Sequence, residues 1–167
     1  MGAGLPALPP ADRAHQVEHP PGDLTGVGGL QAQPLIGVDR REVLEGGAGA
    51  LLLASGLAAE MIAFTTLARQ GENIVSSASL YGGTKTMLSV NLPRWGITAR
   101  FADVSRPEAF EPLIDDRTRA VYVETIANPS GEVPDLQAFA RLARSHGLPL
   151  VVDNTFATPL LCRPFDW

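Results

Sequence analysis

The sequence predicts an α/β fold with three layers, in which helices flank a mostly parallel sheet on both faces. From about residue 43 onward, helix-like and strand-like segments alternate along the chain, the order typical of such folds. The candidate strands are short and mostly apolar, which favours burial between two layers of helices. Of the 167 residues, 45% are hydrophobic and 19% are charged, enough for one domain to bury a core.

Capping residues and chain breakers set the limits of the predicted helices. Ser55 and Asp135 are favourable N-cap residues, and Gly71 and Gly147 follow helix-like segments as stop signals. Proline is tolerated early in a helix, which suits Pro107. Helices are therefore predicted over residues 55–69, 82–92, 107–114 and 135–146.

Short apolar runs between these helices are the candidate strands. Strands are predicted over residues 73–77, 98–101, 120–124 and 149–152. We interpret the last of them as a buried strand that ends in Asp153. Ligands of open parallel sheets bind beyond the carboxyl ends of the strands, so Glu124 and Asp153 lie where a site is expected.

Charge and cysteine content argue against several classes of protein. The net charge is -5, and the lysine and arginine residues are scattered, so nucleic acid is not an expected partner. The longest apolar stretch, residues 48–59, is shorter than the roughly 20 residues that a membrane helix needs, so no membrane insertion is expected. The single cysteine, Cys162, cannot form an intrachain disulfide, and we interpret it as structural. A cytoplasmic location fits best.

Residues 1–41 are rich in proline and glycine and show no periodic pattern, so we expect a poorly ordered segment before a domain over residues 42–167. His15 and His19 are four residues apart, but the glutamate between them is misplaced for a zinc protease helix. The glycines of residues 26–29 follow no strand, so they do not indicate a dinucleotide site.

Two helix starts carry candidate binding residues. Ser55, Gly56 and Leu57 open the first helix, where free backbone N–H groups and the helix dipole form an anion site that Gly56 lets a phosphate approach. An ordinary N-cap is the alternative. Tyr81 precedes the second helix and could stack on a flat heterocycle, or it could simply be half-buried packing. Lys85, inside that helix, is interpreted as a solvated residue.

Three polar residues lie at predicted strand ends. Asp153 is a carboxylate that could hold a proton on a pyridine nitrogen, although a helix-cap or turn role is equally compatible with its position. Glu124 and Asn128 bracket a loop that could supply an acceptor and an amide donor to the same ligand, or they could be turn residues.

Five segments in this order resemble the Cys/Met-metabolism family of pyridoxal-phosphate (PLP) enzymes, of fold type I. They are residues 44–47, 54–59, 80–84, 123–129 and 151–159, and the likeness extends over residues 43–167. The segments from Glu124 and from Asp153 are most similar to the O-acetylhomoserine sulfhydrylases of that family. PLP is therefore the implied cofactor, and no metal is implied.

The resemblance implies a role for each matching residue. Ser55, Gly56 and Leu57 would bind the PLP phosphate through the start of the first helix. Tyr81 would stack on the ring, and it is the candidate catalytic residue of this chain.

Three further cofactor contacts are implied. Asn128 would reach the ring hydroxyl, Asp153 would pair with the pyridine nitrogen, and Thr155 would line the ring.

The implied reaction is γ-replacement on O-acetyl-L-homoserine, in which sulfide or methanethiol replaces acetate to give homocysteine or methionine. A cystathionine γ-synthase or γ-lyase would use the same ring-binding residues, and a non-catalytic PLP-fold module is a further alternative. The family's Schiff-base lysine lies in a downstream segment that has no match up to Trp167. We therefore expect a partial large domain without the lysine segment and the C-terminal domain, with uncovered apolar faces, and a homotetramer for the full-length protein.

Overall fold

A computed structural model describes residues 45–167, so the expectations for residues 1–41 lie outside the described residues. Within the described part, four strands form one sheet in the order β2-β1-β3-β4, and all its pairs are parallel. The strands are β1 (Asn73–Ser77), β2 (Thr98–Ala102), β3 (Thr118–Glu124) and β4 (Leu150–Asp153). The α-helices are α1 (Gly56–Leu67), α2 (Gly82–Thr86), α3 (Leu136–Ser145) and α4 (Thr158–Leu161).

Two apolar cores, one on each face of the sheet, confirm the predicted three layers. On one face, Phe64 of α1 packs edge-to-face against Tyr122 of β3, with ring centroids 5.0 Å apart. On the other face, Phe139 of α3 packs in the same manner against Phe110, at 4.7 Å. Aromatic pairs of this geometry stabilise a core beyond the burial of their surface. Both faces of the central strands β1 and β3 are thus covered.

The predicted caps of α1 and α3 are confirmed. The Ser55 hydroxyl accepts a hydrogen bond from the amide of Ala58 at 3.2 Å, and α1 begins at the next residue. The Asp135 carboxylate accepts one from the amide of Ala138 at 2.9 Å, at the start of α3. Each bond satisfies an amide that has no partner within its helix.

The second predicted helix begins at Gly82 as expected, but it is not a regular α-helix to its end. After α2 it continues as a π-helical turn, Met87–Asn91, and a 3₁₀ turn, Leu92–Trp95. Gly96 then ends it in the left-handed conformation, with φ 77°. Proline is tolerated within the first turn of the 3₁₀ segment, so the helical path passes Pro93 instead of stopping there.

Two sequence predictions are wrong in detail. The segment predicted as a helix over 107–114 forms two 3₁₀ turns, Pro107–Ala109 and Glu111–Leu113, because Pro112 has no N–H with which to continue an α-helix. Strand β4 is only half-buried, since it is the edge strand and has a single neighbour, whereas a buried strand was predicted. In the described range, no helix has both the length and the apolar character required to cross a membrane.

The short helix α4 was not predicted from the sequence. It begins at Thr158 after Ala157, an N-cap residue that makes no side-chain hydrogen bond, so no ordinary cap signal marks its start. Its residues Leu160 and Leu161 are 89% and 76% exposed. A groove of about 850 Å³ lies beside β4, with Leu150 and Trp167 in its lining. Exposed apolar surface next to a strand edge favours association between chains.

We predict that the chain self-associates and that the double substitution Leu160→Gln/Leu161→Gln reduces the association. Both side chains are exposed, so the melting temperature should change little. Sedimentation velocity of the two proteins at matched concentrations measures the effect. Val133→Gln, at another exposed apolar side chain, is the control and should leave association unchanged. A clean monomer of the unsubstituted chain would contradict the prediction.

Candidate active site

The carboxyl ends of three neighbouring strands open onto one cavity. Because the sheet is parallel, the segments after β1, β3 and β4 lie at the same edge. From β1 the chain passes to β2 on one side of the sheet, and from β3 it passes to β4 on the other side. The strand order therefore reverses between β1 and β3, and ligands of such sheets bind at this point. The cavity measures about 390 Å³ and is lined by all seven residues predicted to bind a cofactor: Ser55, Gly56, Leu57, Tyr81, Asn128, Asp153 and Thr155.

Helix α1 presents its start to this cavity. The Ser55 hydroxyl satisfies the amide of Ala58, and the amides of Gly56 and Leu57 are left without acceptors inside the helix. A Cβ atom placed on Gly56 would meet no atom within 4 Å, so open space faces the backbone at this point. Two free amides, the dipole of a 12-residue helix and open space together suit an anionic group.

Tyr81 forms an aromatic wall of the cavity. Its side chain is 48% exposed, and its backbone amide donates a hydrogen bond to Glu124 Oε1 at 2.7 Å. A Cβ atom on Gly83 would lie 2.7 Å from the Tyr81 ring and 3.1 Å from a methyl group of Leu57. The ring therefore takes its position because residue 83 has no side chain.

Glu124 holds two loops of the site together. Its Oε1 accepts from the Tyr81 amide, and its Oε2 accepts from the Asn128 amide at 3.1 Å. Burial raises the pKa of this carboxyl group, and the two amide bonds partly offset that effect. Glu124 also lines the cavity, so its predicted role as an acceptor for a ligand stays a prediction beside the two backbone bonds that it makes.

Asp153 and Glu60 form a pair of carboxyl groups in the cavity wall. Asp153, the last residue of β4, accepts the Thr155 amide at Oδ1 at 2.8 Å. Glu60, on α1, lies within hydrogen-bonding reach of Asp153 and was not singled out in the sequence. Its position four residues after Gly56, on the same face of the helix, was the signal that could have identified it.

Comparison with known proteins establishes the family of this chain. Residues 39–167 match the model of the Cys/Met metabolism PLP-dependent enzymes. The chain belongs to that family. It is 48% identical over 130 residues to the homocysteine/cysteine synthase of Saccharomyces cerevisiae, matching 77% of this chain and 29% of the yeast protein. It is 51% identical over 130 residues to O-acetyl-L-homoserine sulfhydrylase 1 of Thermus thermophilus, matching 77% of this chain and 31% of that protein.

A solved structure agrees in fold. The O-acetylhomoserine (thiol)-lyase of Campylobacter jejuni, which carries N′-pyridoxyl-lysine-5′-monophosphate, superimposes with a TM-score of 0.73 at 38% identity. The match covers 74% of this chain and 30% of that protein. The α/β fold of a PLP-dependent transferase domain, predicted from the sequence, is thereby confirmed. The chain spans about 30% of the length of the curated relatives that it matches.

The cavity fits the cofactor of this PLP-dependent family. Its volume lies within the range of about 300–1,000 Å³ that is usual for small-ligand sites. Three carboxyl groups, those of Glu60, Glu124 and Asp153, line it, and no lysine, arginine or histidine does so among residues 45–167. Negative charge at the strand ends and free amides at the helix start suit a ligand that is cationic at one end and anionic at the other. PLP, with a protonated ring nitrogen and a phosphate, is such a ligand.

Lys85 is the only lysine of the sequence, and it does not line the cavity. Its ammonium group lies 3.4 Å from the centroid of the Phe101 ring and donates to the Ala78 carbonyl at 3.5 Å. Partial burial lowers the pKa of its amine. Lys85, interpreted from the sequence as solvated, is thus only partly so, because its charge lies over an aromatic ring.

Cys162 and the acidic residues give no second site. Cys162 is partly buried, and burial raises the pKa of its thiol, so the reactive thiolate is disfavoured. Within residues 45–167, no group of three or more histidine, cysteine, aspartate or glutamate side chains is arranged to hold a metal ion.

Proposed function

We propose that residues 42–167 form part of the PLP-binding large domain of a longer enzyme that catalyses γ-replacement on O-acetyl-L-homoserine. Acetate is the leaving group, and sulfide or methanethiol is the acceptor, giving homocysteine or methionine. The observation that carries the proposal is the convergence of a helix start, an aromatic ring and a strand-end carboxylate on one cavity. The relatives from yeast and Thermus thermophilus are named for homocysteine synthesis and O-acetylhomoserine sulfhydrylation, which favours this reaction over the other reactions considered.

The residues at the helix start and the ring face have separate tasks in this proposal. The amides of Gly56 and Leu57, with Ser55 beside them, bind the phosphate. Tyr81 stacks on the ring and lies where it can act on the substrate, so it is the candidate catalytic residue of the chain. When bound, PLP supplies an electron sink for carbanions formed on the amino-acid substrate.

The strand-end residues hold the opposite side of the ring. Asp153 keeps a proton on the ring nitrogen, Asn128 donates to the ring hydroxyl, and Thr155 lines the ring. Glu124 fixes the Tyr81 and Asn128 loops relative to each other through two backbone amides. A cytoplasmic location and a homotetramer of the longer protein complete the proposal.

Direct binding of PLP by the chain tests the proposal. Titration of the chain with PLP should give a saturable induced circular dichroism signal in the cofactor absorption band. Pyridoxal without phosphate should bind more weakly, since it cannot use the amides of Gly56 and Leu57. Equal binding of the two compounds, or no binding of PLP, would contradict the proposal.

Because the sequence has a single lysine, covalent attachment of bound PLP to a lysine can be tested at one residue. Borohydride reduction followed by peptide mass mapping should find no pyridoxyl group on Lys85, because its amine packs on Phe101 outside the cavity. Lys85→Arg should accordingly bind PLP as well as the unsubstituted chain does. A signal that disappears with this substitution would place the cofactor at Lys85 instead. For the longer protein, acetate release from O-acetyl-L-homoserine with sulfide, compared with cysteine as acceptor, tests the reaction.

The substitution Gly83→Ala is expected to weaken PLP binding about 5-fold while the fold is retained, since moving an aromatic wall costs an interaction of roughly 1 kcal/mol. The new methyl group would displace the Tyr81 ring, which lies 2.7 Å from the added Cβ position. Gly82→Ala is a matched control one residue away, because no atom lies within 4 Å of its added Cβ. The dichroism titration measures both variants, and equal affinities would exclude this role of Gly83.

A further inference from the structure

Glu60 is held in the cavity wall by two hydroxyl groups. The Tyr122 hydroxyl donates to Glu60 Oε1 at 2.8 Å. The Thr84 hydroxyl donates to the two Glu60 oxygens, each at 2.9 Å. These donors come from β3 and α2, so three elements fix the orientation of one carboxyl group. A solvated surface glutamate would not be restrained in this way.

The charges around Glu60 on the cavity side are all negative. Its carboxyl group lies within hydrogen-bonding reach of Asp153 from β4, and Glu124 of β3 lines the same cavity. Burial and the neighbouring charges of Glu60, Asp153 and Glu124 raise the pKa of the Tyr122 phenol, so this group remains a neutral donor. No cation from the described residues lines the cavity to compensate the carboxyl groups.

On its other side, Glu60 faces a groove that it shares with Glu45 and Arg144. The Arg144 guanidinium donates to the carbonyl of Trp167 at 2.9 Å and forms no ion pair with Glu60 among the described contacts. The Glu45 carboxylate is the acceptor for the Asn154 amide at 2.9 Å. The Arg144 cation therefore does not neutralise Glu60, and the Glu45 carboxylate cannot.

Two carboxyl groups in contact favour retention of one proton between them. The pKa of Glu60 is raised to about 7 as the net result of burial, which is the largest cause, of the bonds from Tyr122 and Thr84, which lower it, and of the charge and contact of Asp153, which raise it. Asp153 Oδ1 is already the acceptor for the Thr155 amide. Near neutral pH, the shared proton thus belongs to Glu60.

We propose that Glu60 is a positioning residue for Asp153, which donates a hydrogen bond to the Asp153 carboxylate and releases its proton to solvent when a protonated pyridine ring binds there. A positive ring next to Asp153 offsets the charge that keeps Glu60 protonated, so ionisation of Glu60 becomes favourable. The inference rests on the proposed function, since the ring is that of PLP. Cofactor binding then depends on pH through Glu60, which does not itself touch the ring nitrogen.

Titration of the cofactor-free chain tests the shared proton. In the full 167-residue chain labelled with ¹³C at the glutamate carboxyl carbons, one resonance should titrate near pH 7 and be absent from Glu60→Gln. Tyr122→Phe and Thr84→Val remove bonds that lower the pKa of Glu60 and should move this titration to higher pH. Asp153→Asn should move it to lower pH. Titration of every glutamate in the ordinary range would overturn the inference.

Proton release on binding tests the second step. Mixing with PLP at pH 7 in weak buffer should release about half a proton more per bound PLP from the unsubstituted chain than from Glu60→Gln, since a group at its pKa is half protonated. Equal release from the two proteins would overturn the inference alone. A chain that shows the Glu60 titration but binds no PLP would support the shared proton while contradicting both the release step and the proposed function.

Discussion

Replacement of Asp153 by Asn is expected to weaken PLP binding by about 10- to 100-fold, because a hydrogen bond to a charged group contributes roughly 1.5–3 kcal/mol. The carboxylate is the proposed partner of the protonated ring nitrogen, and an amide cannot supply its charge. The fold should be retained, since Asn can still accept the Thr155 amide and the backbone carbonyl of residue 153 still accepts the Thr125 amide. The dichroism titration with PLP measures the loss.

A matched substitution separates this effect from a general change of charge. Asp166→Asn also removes one carboxylate, but Asp166 is paired with the exposed Arg163 at 3.1 Å and does not line the cavity. It should bind PLP as the unsubstituted chain does. Equal affinities of Asp153→Asn and Asp166→Asn would exclude Asp153 as the partner of the ring.

Elements with local signals were predictable from the sequence. Ser55 and Asp135 act as caps through side-chain bonds to residues three positions ahead, so the helix starts that they define follow from the local sequence. The segment over 107–114 was mispredicted because Pro107 stands at a tolerated early position, whereas Pro112 lies too far along to continue an α-helix. Strand β4 was predicted correctly in position but not in burial, because the number of neighbours of a strand is a property of the whole sheet.

The candidate site shows the same division between local and long-range information. Motif positions indicated seven residues that meet at one cavity, since each stands at a helix start, at a strand end or in the loop that follows a strand of the parallel sheet. The helical spacing of Glu60 from Gly56 and the strand-end position of Glu124 are local signals, but the functions of both residues depend on distant partners. Glu60 becomes informative only through Tyr122, 62 residues away, and Glu124 only through Tyr81, 43 residues away. Such contacts arise from the fold and cannot be read from spacing.

The cofactor-free chain is expected to lose stability as the pH rises from about 5 to about 8. The pKa of Glu60 is about 7 in the folded chain, above its ordinary value of 4.5. Because the folded value is the higher one, the contribution of Glu60 to stability is fully present below the ordinary pKa and is lost as the pH rises through 7. The free energy of unfolding should fall by at most about 3 kcal/mol across this window.

Three of the other shifted groups act outside this pH window. Hydrogen bonds from Asn73 and Arg100 lower the pKa of Asp115, so its contribution is lost only in acid, below this window. Burial raises the pKa of Tyr122 and of Cys162, so those groups act at higher pH. Burial also raises the pKa of Glu124, which gives a slope of the same sign, so a substitution at Glu60 is needed to assign the effect.

Glu60→Gln provides that assignment, because an amide mimics the protonated carboxyl group and does not titrate. Gln can accept the Tyr122 hydroxyl and donate to Asp153, so the variant should match the unsubstituted chain near pH 5 and exceed it in stability near pH 8. Denaturant unfolding at four pH values across the window measures the difference. Parallel pH profiles of the two proteins would mean that the carboxyl group of Glu60 is solvated in solution. The variant should be more stable than the unsubstituted chain at high pH and should release fewer protons when PLP binds. Both results together would show that the second carboxyl group behind Asp153 lowers the stability of the chain.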